Sequence, residues 1–268
     1  MTKSKNGDLL MEKQTNKLCR ILSLLNEIES GAGMFRLRFN VPYIGVYWVA
    51  DQFFCEKQVE ISMKEGELEI ERKKIGKDFH EKLSAGMEKT SREQVWSYIL
   101  SGRSICVSDL LLVGKWKGIP IIGRADLLLF SRSKPLWLFE FKFTNMRIPS
   151  GSSHVQARLY SLLLKQMGFD VSTLKYAIVL AKEKPENFER WRRLVLDKVK
   201  SYRLLKEKAV VKINGCRVFI GKPKFDKAEK ELNFALKYWL CIREAIPTKS
   251  ASKCRACAYN ASCDSRNY

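Results

Sequence analysis

Residues 119–143 read IPIIGRADLLLFSRSKPLWLFEFKF. Two apolar runs of strand length, 119–130 and 136–143, flank a short polar segment, the pattern of adjacent strands. Each run carries charge in apolar company: Asp126 in the first, Glu140 and Lys142 in the second. Glu140 and Lys142 lie two apart, so on a strand they point to the same face. The second strand is expected to be buried on both faces except at these two residues. Burying unpaired charge is costly. A divalent cation would supply a reason for it, because two carboxylates can hold Mg2+ or Mn2+, and the cation lowers the pKa of a water and shields a phosphodiester. A lysine beside them can orient that water or stabilise developing charge. A lone Glu-x-Lys is more often an ordinary ion pair at a sheet edge. Here it has company: Gly123-x-x-Asp126 precedes it, and Gln156 and Tyr160 follow four apart, on one face of the next helix.

Outward from this centre, 105–113 reads as a further strand, 153–167 as a helix, 174–181 as a buried strand and 187–206 as a helix. Asn214-Gly215 between Val210–Ile213 and Arg217–Ile220 signals a hairpin, and 226–243 reads as an amphipathic helix. Upstream, 12–30 has helical spacing that ends at Gly31. Residues 46–60, which contain Cys55, read as one helix, His80 falls inside another in a charged stretch, and 94–100 is a short third. The order implies one mixed α/β domain: a helical N-terminal part over 1–103, a core over 104–220, and a helix with a cysteine-rich tail over 221–268.

The chain has 49 Lys and Arg against 29 Asp and Glu, a net +20, and such an excess attracts a polyanion, nucleic acid first. Its apolar runs fall far short of the ~18 residues a membrane span needs, and MTKSKNGDLLMEKQTNK has no signal-peptide core. Both point to a cytoplasmic protein without a membrane partner. In that compartment clustered cysteines favour metal ligation over disulfides. Cys254, Cys257 and Cys263 fall within one short tail after Pro247, which leaves one ligand missing. No fourth Cys or His follows, as a local zinc finger would require. Cys241 (in YWLCI), Cys19, Cys106 and Cys216 lie in apolar patterns and read as core.

Gly-x-x-Asp, Glu-x-Lys and Gln-x-x-x-Tyr in this order resemble the motifs of the PD-(D/E)XK nucleases, specifically the RecB-like branch. That branch carries an upstream Gly-x-x-x-His-Glu, and Gly76-Lys77-Asp78-Phe79-His80-Glu81 is similar. The resemblance implies a restriction-endonuclease-like core, a mixed central sheet flanked by helices. It implies that His80, Asp126, Glu140 and the backbone carbonyl of Phe141 hold the metal, that Lys142 is the catalytic lysine, and that Gln156 and Tyr160 line the site. One subgroup has a single upstream cysteine and three at the C-terminus, which together hold a 4Fe–4S cluster. Cys55, Cys254, Cys257 and Cys263 match that arrangement, as does Tyr259 in Cys-x-x-Cys-x-Tyr. The subgroup includes CRISPR-associated RecB-type exonucleases (the fourth Cas family), nuclease parts of helicase–nucleases, and exonuclease V. In this chain Glu56-Lys57 follows the first cysteine, where CRISPR-associated members often have Pro-Arg.

The implied activity is Mg2+- or Mn2+-dependent exonucleolytic trimming of single-stranded DNA ends, 5′-to-3′, on spacer precursors, with CRISPR integrase proteins as partners. A stand-alone repair exonuclease of the exonuclease V type stands beside it, as do a non-catalytic DNA-binding module that keeps the cluster and a basic zinc protein. No Gly-x4-Gly-Lys-Ser/Thr phosphate loop is present, so no helicase motor is expected. Whether the chain forms a homo-oligomer is left open.

Overall fold

The computed structural model describes residues 15–16, 18–27, 30, 36–66, 92–182, 188–202, 208–213 and 215–267. His80, Gly31 and Asn214 lie outside the described residues. A helical stretch over 18–27 buries Ile21 and Leu25. It is followed by β1 (Ile44–Gly45), α1 (Val46–Gln52), α2 (Glu56–Glu65), α3 (Arg92–Leu100), β2 (Ile105–Trp116), β3 (Ile119–Ser131) and β4 (Lys134–Phe143). The remainder comprises α4 (Gly151–Gln166), β5 (Lys175–Ala181), α5 (Phe188–Lys200), β6 (Lys208–Ile213), β7 (Cys216–Gly221), α6 (Phe225–Trp239) and α7 (Ala251–Arg255).

The seven strands form one mixed sheet in the order β1-β3-β4-β5-β7-β6, with β2 antiparallel to β3. The β4–β5 and β1–β3 pairs are parallel. Parallel neighbours require a crossover, and α4 supplies the one from β4 to β5. The period-2 geometry of β4 sorts its side chains. Trp137, Phe139 and Phe141 stack in sequence on one face, where Trp191, Val195, Leu196 and Val199 of α5 cover them. Leu138 lies on the other face, which α4 and α6 cover with Leu159, Leu163, Leu232 and Leu236. The fold is thus the expected mixed central sheet flanked by helices. No helix among the described residues is long and apolar enough to cross a membrane.

Several local expectations need correction. Residues 46–60 are two helices. The chain turns at Phe53-Phe54, and Cys55 (φ −166°, ψ 120°) caps the N-terminus of α2. The break places the Glu56 carboxylate in the first turn of α2, where the helix dipole favours it. There it meets Arg243 and accepts the Ile246 N–H at 2.8 Å. The final long helix ends at Trp239 instead of running to 243. Cys241 adopts φ 57°, and the Ile242 and Cys241 N–H groups bond back to the Lys237 and Tyr238 carbonyls, a Schellman stop. Cys241 is therefore exposed, not core, as is Cys19. Glu140, expected at an accessible position on β4, is fully buried.

Candidate active site and cysteine site

The β3–β4 ladder runs from Ser131–Lys134 to Leu127–Phe139 and stops. One step further, Asp126 and Glu140 would be opposite each other, but here the strands part and β1 takes the place of β4 beside Ile121 and Ile122. The Phe141 N–H, which would otherwise continue the ladder, donates to Asp126 Oδ2 at 2.7 Å. The parting of the strands thus replaces a backbone acceptor by a carboxylate and opens the sheet where the two acids sit.

From there the side chains form a continuous run. Lys142 Nζ lies 2.6 Å from Glu140 Oε1 and donates to Gln156 Oε1 at 3.2 Å. Gln156 Nε2 donates to the Tyr160 hydroxyl at 3.0 Å. The i, i+4 spacing on α4 aims Gln156 and Tyr160 at the same strands, and α4 is started by Ser150, whose hydroxyl accepts the Ser153 N–H. Gly123 has a steric role. A Cβ there would fall 2.5 Å from the Tyr160 ring and 2.8 Å from Val46, so only glycine lets β3, α4 and α1 close around the tyrosine.

Burial sets the electrostatics. It pushes the Asp126 carboxyl up to about 6, against the pull of Lys142 and the Phe141 N–H. Lys142 is opposed by burial as well, but Glu140 and Asp126 outweigh it and hold the ammonium above its usual range. Its side chain remains 36% exposed, while its ammonium lies against Glu140. Burial, then Glu140 and Asp126, raise the Tyr160 phenol well above its ordinary value, which keeps it protonated. A carboxylate that resists ionisation beside another buried carboxylate is a donor set that a divalent cation relieves.

Two further acids act on this site and were not singled out in the sequence. Asp51 of α1 contributes to holding Lys142 charged. Asp109 of β2 pushes Asp126 and Tyr160 up. Asp109 has φ 52° and pairs with Arg124 at 3.3 Å. Its signal was legible as an acid interrupting ICVSDLLLV; Asp51 offered none. His154 lies apart from the run. It meets the Tyr176 hydroxyl at 3.3 Å, and burial, with Arg158, Lys208 and Lys227, lowers it to about 4, so it is neutral.

The four cysteines of the second constellation line one small pocket, beside Phe54, Gln58 and Lys253. Cys55 comes from the start of α2, Cys254 from α7, and Cys257 and Cys263 from the turns after it. Cys241 is absent from this lining. Backbone N–H groups point at two of the sulfurs, Thr248 N to Cys55 and Asn267 N to Cys254, each at 3.4 Å. Burial pushes the Cys257 thiol up, and Cys55, Cys263 and Cys254 add to this. The four cysteines thus share one pocket with Lys253, and two of their sulfurs accept backbone N–H groups. Among the described residues, no three His, Cys, Asp or Glu side chains are already drawn into metal-holding geometry.

Protein contacts fasten the same region. Trp239 Nε1 donates to Gln52, Gln52 to Glu56, and Arg243 to Glu56. Lys253 Nζ donates to the Phe53 and Phe54 carbonyls, and the buried Tyr259 donates to Gly66 O at 3.1 Å.

The sequence model of the PD-(D/E)XK nuclease superfamily matches residues 51–264, spanning the acidic strands, α4 and the cysteine tail. No curated protein matches the chain. Among solved structures, one titled "Crystal structure of SSO0001" is similar over 91% of this chain and 95% of its own, at 14% identity and a TM-score of 0.45.

Proposed function

Because the chain belongs to the PD-(D/E)XK nuclease superfamily, we propose that it is a Mg2+- or Mn2+-dependent exonuclease that trims single-stranded DNA ends, 5′-to-3′, with a 4Fe–4S cluster on Cys55, Cys254, Cys257 and Cys263. Trimming of spacer precursors for CRISPR integrase proteins is the role that agrees with the sequence resemblance. The observation that carries the catalytic part is the run Glu140–Lys142–Gln156–Tyr160 on the face where Asp126 takes the Phe141 N–H.

Asp126, Glu140 and the Phe141 carbonyl would hold the cation, with His80 of the upstream segment. A divalent cation there supplies Lewis-acid shielding of the phosphodiester and a lowered pKa for a water. The remaining work falls to this chain. Lys142, held charged by Glu140 and positioned by Gln156, presents its ammonium to the reacting phosphate oxygens as negative charge accumulates. Tyr160 fixes Gln156, and so fixes the lysine. The net +20 gathers the DNA strand.

The test is anaerobic purification with iron and sulfide analysis, then cleavage of 5′- and 3′-labelled single strands with Mn2+ or Mg2+. Asp126→Ala, Glu140→Ala and Lys142→Ala should each abolish cleavage and retain DNA binding. Cleavage at the wild-type rate by any folded member of the set removes that residue from the mechanism, and zinc without iron or sulfide removes the cluster.

A further inference from the structure

The sheet continues beyond the catalytic lysine toward a second cationic site. Lys142 pairs across the parallel ladder with Leu180, and Leu180 pairs with Arg217 of β7. Residues in register on neighbouring strands project to the same face, so Arg217 lies on the face of Lys142, two inter-strand steps or about 10 Å away. At this end of the sheet the segment after β4 folds over the strand ends. Thr144 N bonds Ala181 O at 2.8 Å, and Arg217 donates to Arg147 O at 3.1 Å. That bond takes one of the five N–H donors of the guanidinium.

The result is a cleft of about 300 Å3 lined by Thr144, Asn145, Met146, Arg147, Lys182 and Arg217 among others. Arg147 and Lys182 are exposed, and no carboxylate is among the described residues that line it. Three cations, a hydroxyl and an amide suit a phosphodiester, with Arg able to bind it bidentately. Met146, 53% exposed, offers apolar contact to an unpaired base.

We propose that this cleft is a backbone-phosphate subsite, which binds the first or second phosphate beyond the reacting one on a single DNA strand. It rests on the nuclease reading, since it takes its place from Lys142. Arg147, Lys182 and Arg217 are positioning residues here. They hold the strand in register, and the reacting phosphate is left to the acids and the lysine.

The experiment measures the full-length protein on single-stranded oligonucleotides, as affinity against salt without divalent metal and as KM and kcat with Mn2+. Arg147→Ala and Lys182→Ala should each weaken affinity about 3- to 10-fold and flatten the salt dependence by about 0.7 per lost contact. KM should rise with kcat retained, and Arg217→Lys should lose less than Arg217→Ala. A neutral methylphosphonate at the first or second linkage beyond the cleavage point should cost wild type the same factor and cost Arg147→Ala nothing more. Unchanged affinity and salt slope, or losses that ignore where the neutral linkage sits, overturn the subsite. Absence of metal-dependent cleavage in wild type overturns the nuclease reading instead, while the binding arms still decide the subsite.

Discussion

Gly123→Ala adds one methyl group at the closest packed point of the site. The new Cβ would sit 2.5 Å from Tyr160 Cε1 and 2.8 Å from both Cβ and Cγ2 of Val46. Neither neighbour can swing into solvent, because Tyr160 is 2% exposed and Val46 fully buried. The strain must be taken up by separating β3 from α4 or by tilting the tyrosine. Overpacking of this kind costs about 1–3 kcal/mol, or a fall of about 3–10 °C in Tm for a domain of this size. The activity loss should exceed what the small unfolded fraction accounts for. Tyr160 holds Gln156 and Gln156 holds Lys142, so a tilt of the ring moves the ammonium, and misplacing a reacting group by about 1 Å costs on the order of 100-fold. The assay is urea denaturation beside single-turnover cleavage with Mn2+, for Gly123→Ala, Tyr160→Ala and the pair. In the pair, removal of the ring makes room for the methyl, so the stability costs should be less than additive by about 1 kcal/mol or more. Additive costs, or a Gly123→Ala protein with wild-type stability and rate, would refute the packing argument.

Arg158→Ala should destabilise by about 3–5 kcal/mol, read by denaturant titration, because it leaves Glu231 charged and buried; the two form a bidentate bridge between α4 and α6. Replacing both by Met and Leu should come close to neutral. Asp126, raised to about 6 by burial, favours the metal-free fold in its protonated form. That contribution is complete below the unfolded carboxylate value of about 4 and is lost as pH rises through about 6. Bound Mn2+ competes with the same proton, so titrations from pH 5 to 8 should show Mn2+ affinity falling by at least about tenfold per unit below 6. Cys55→Ala and Cys257→Ala should bleach the anaerobically purified protein while Cys241→Ala stays brown. A brown Cys55 variant beside a bleached Cys241 variant would assign the fourth ligand to Cys241.

The acidic strands were legible because apolar runs with charges two apart leave few alternatives, and the Lys117-Gly118 turn carries its own signal. Both of its residues take positive φ, as a two-residue hairpin demands. The next hairpin turns at Arg132-Ser133, also at positive φ, with no glycine to announce it. It is held from outside, by Arg132 N to Gly102 O and the Ser133 hydroxyl to Leu100 O. The break at Cys55 was illegible for the same reason. No Gly or Pro marks it, and the partner that rewards it, Arg243, is 187 residues away. Glu140 was expected to be accessible because local alternation ignores the helix laid over it. Asp51 reaches the site only because α1 packs beside α4, which periodicity cannot foresee.

The Glu56–Arg243 tie also sets a clock. During synthesis at roughly 5–20 residues per second, the segment that completes this contact emerges on the order of 10–40 s after the helix it locks. Until then Glu56 has no guanidinium to meet, the α1–α2 corner that carries Asp51 is held only by bonds such as Gln52 to Glu56, and the pocket lacks three of its four thiols. The contact joins residues 187 apart, so it cannot form until Arg243 has emerged. A ribosome stalled before Arg243 therefore holds the acidic strands without the guanidinium that meets Glu56 at the corner beside Lys142.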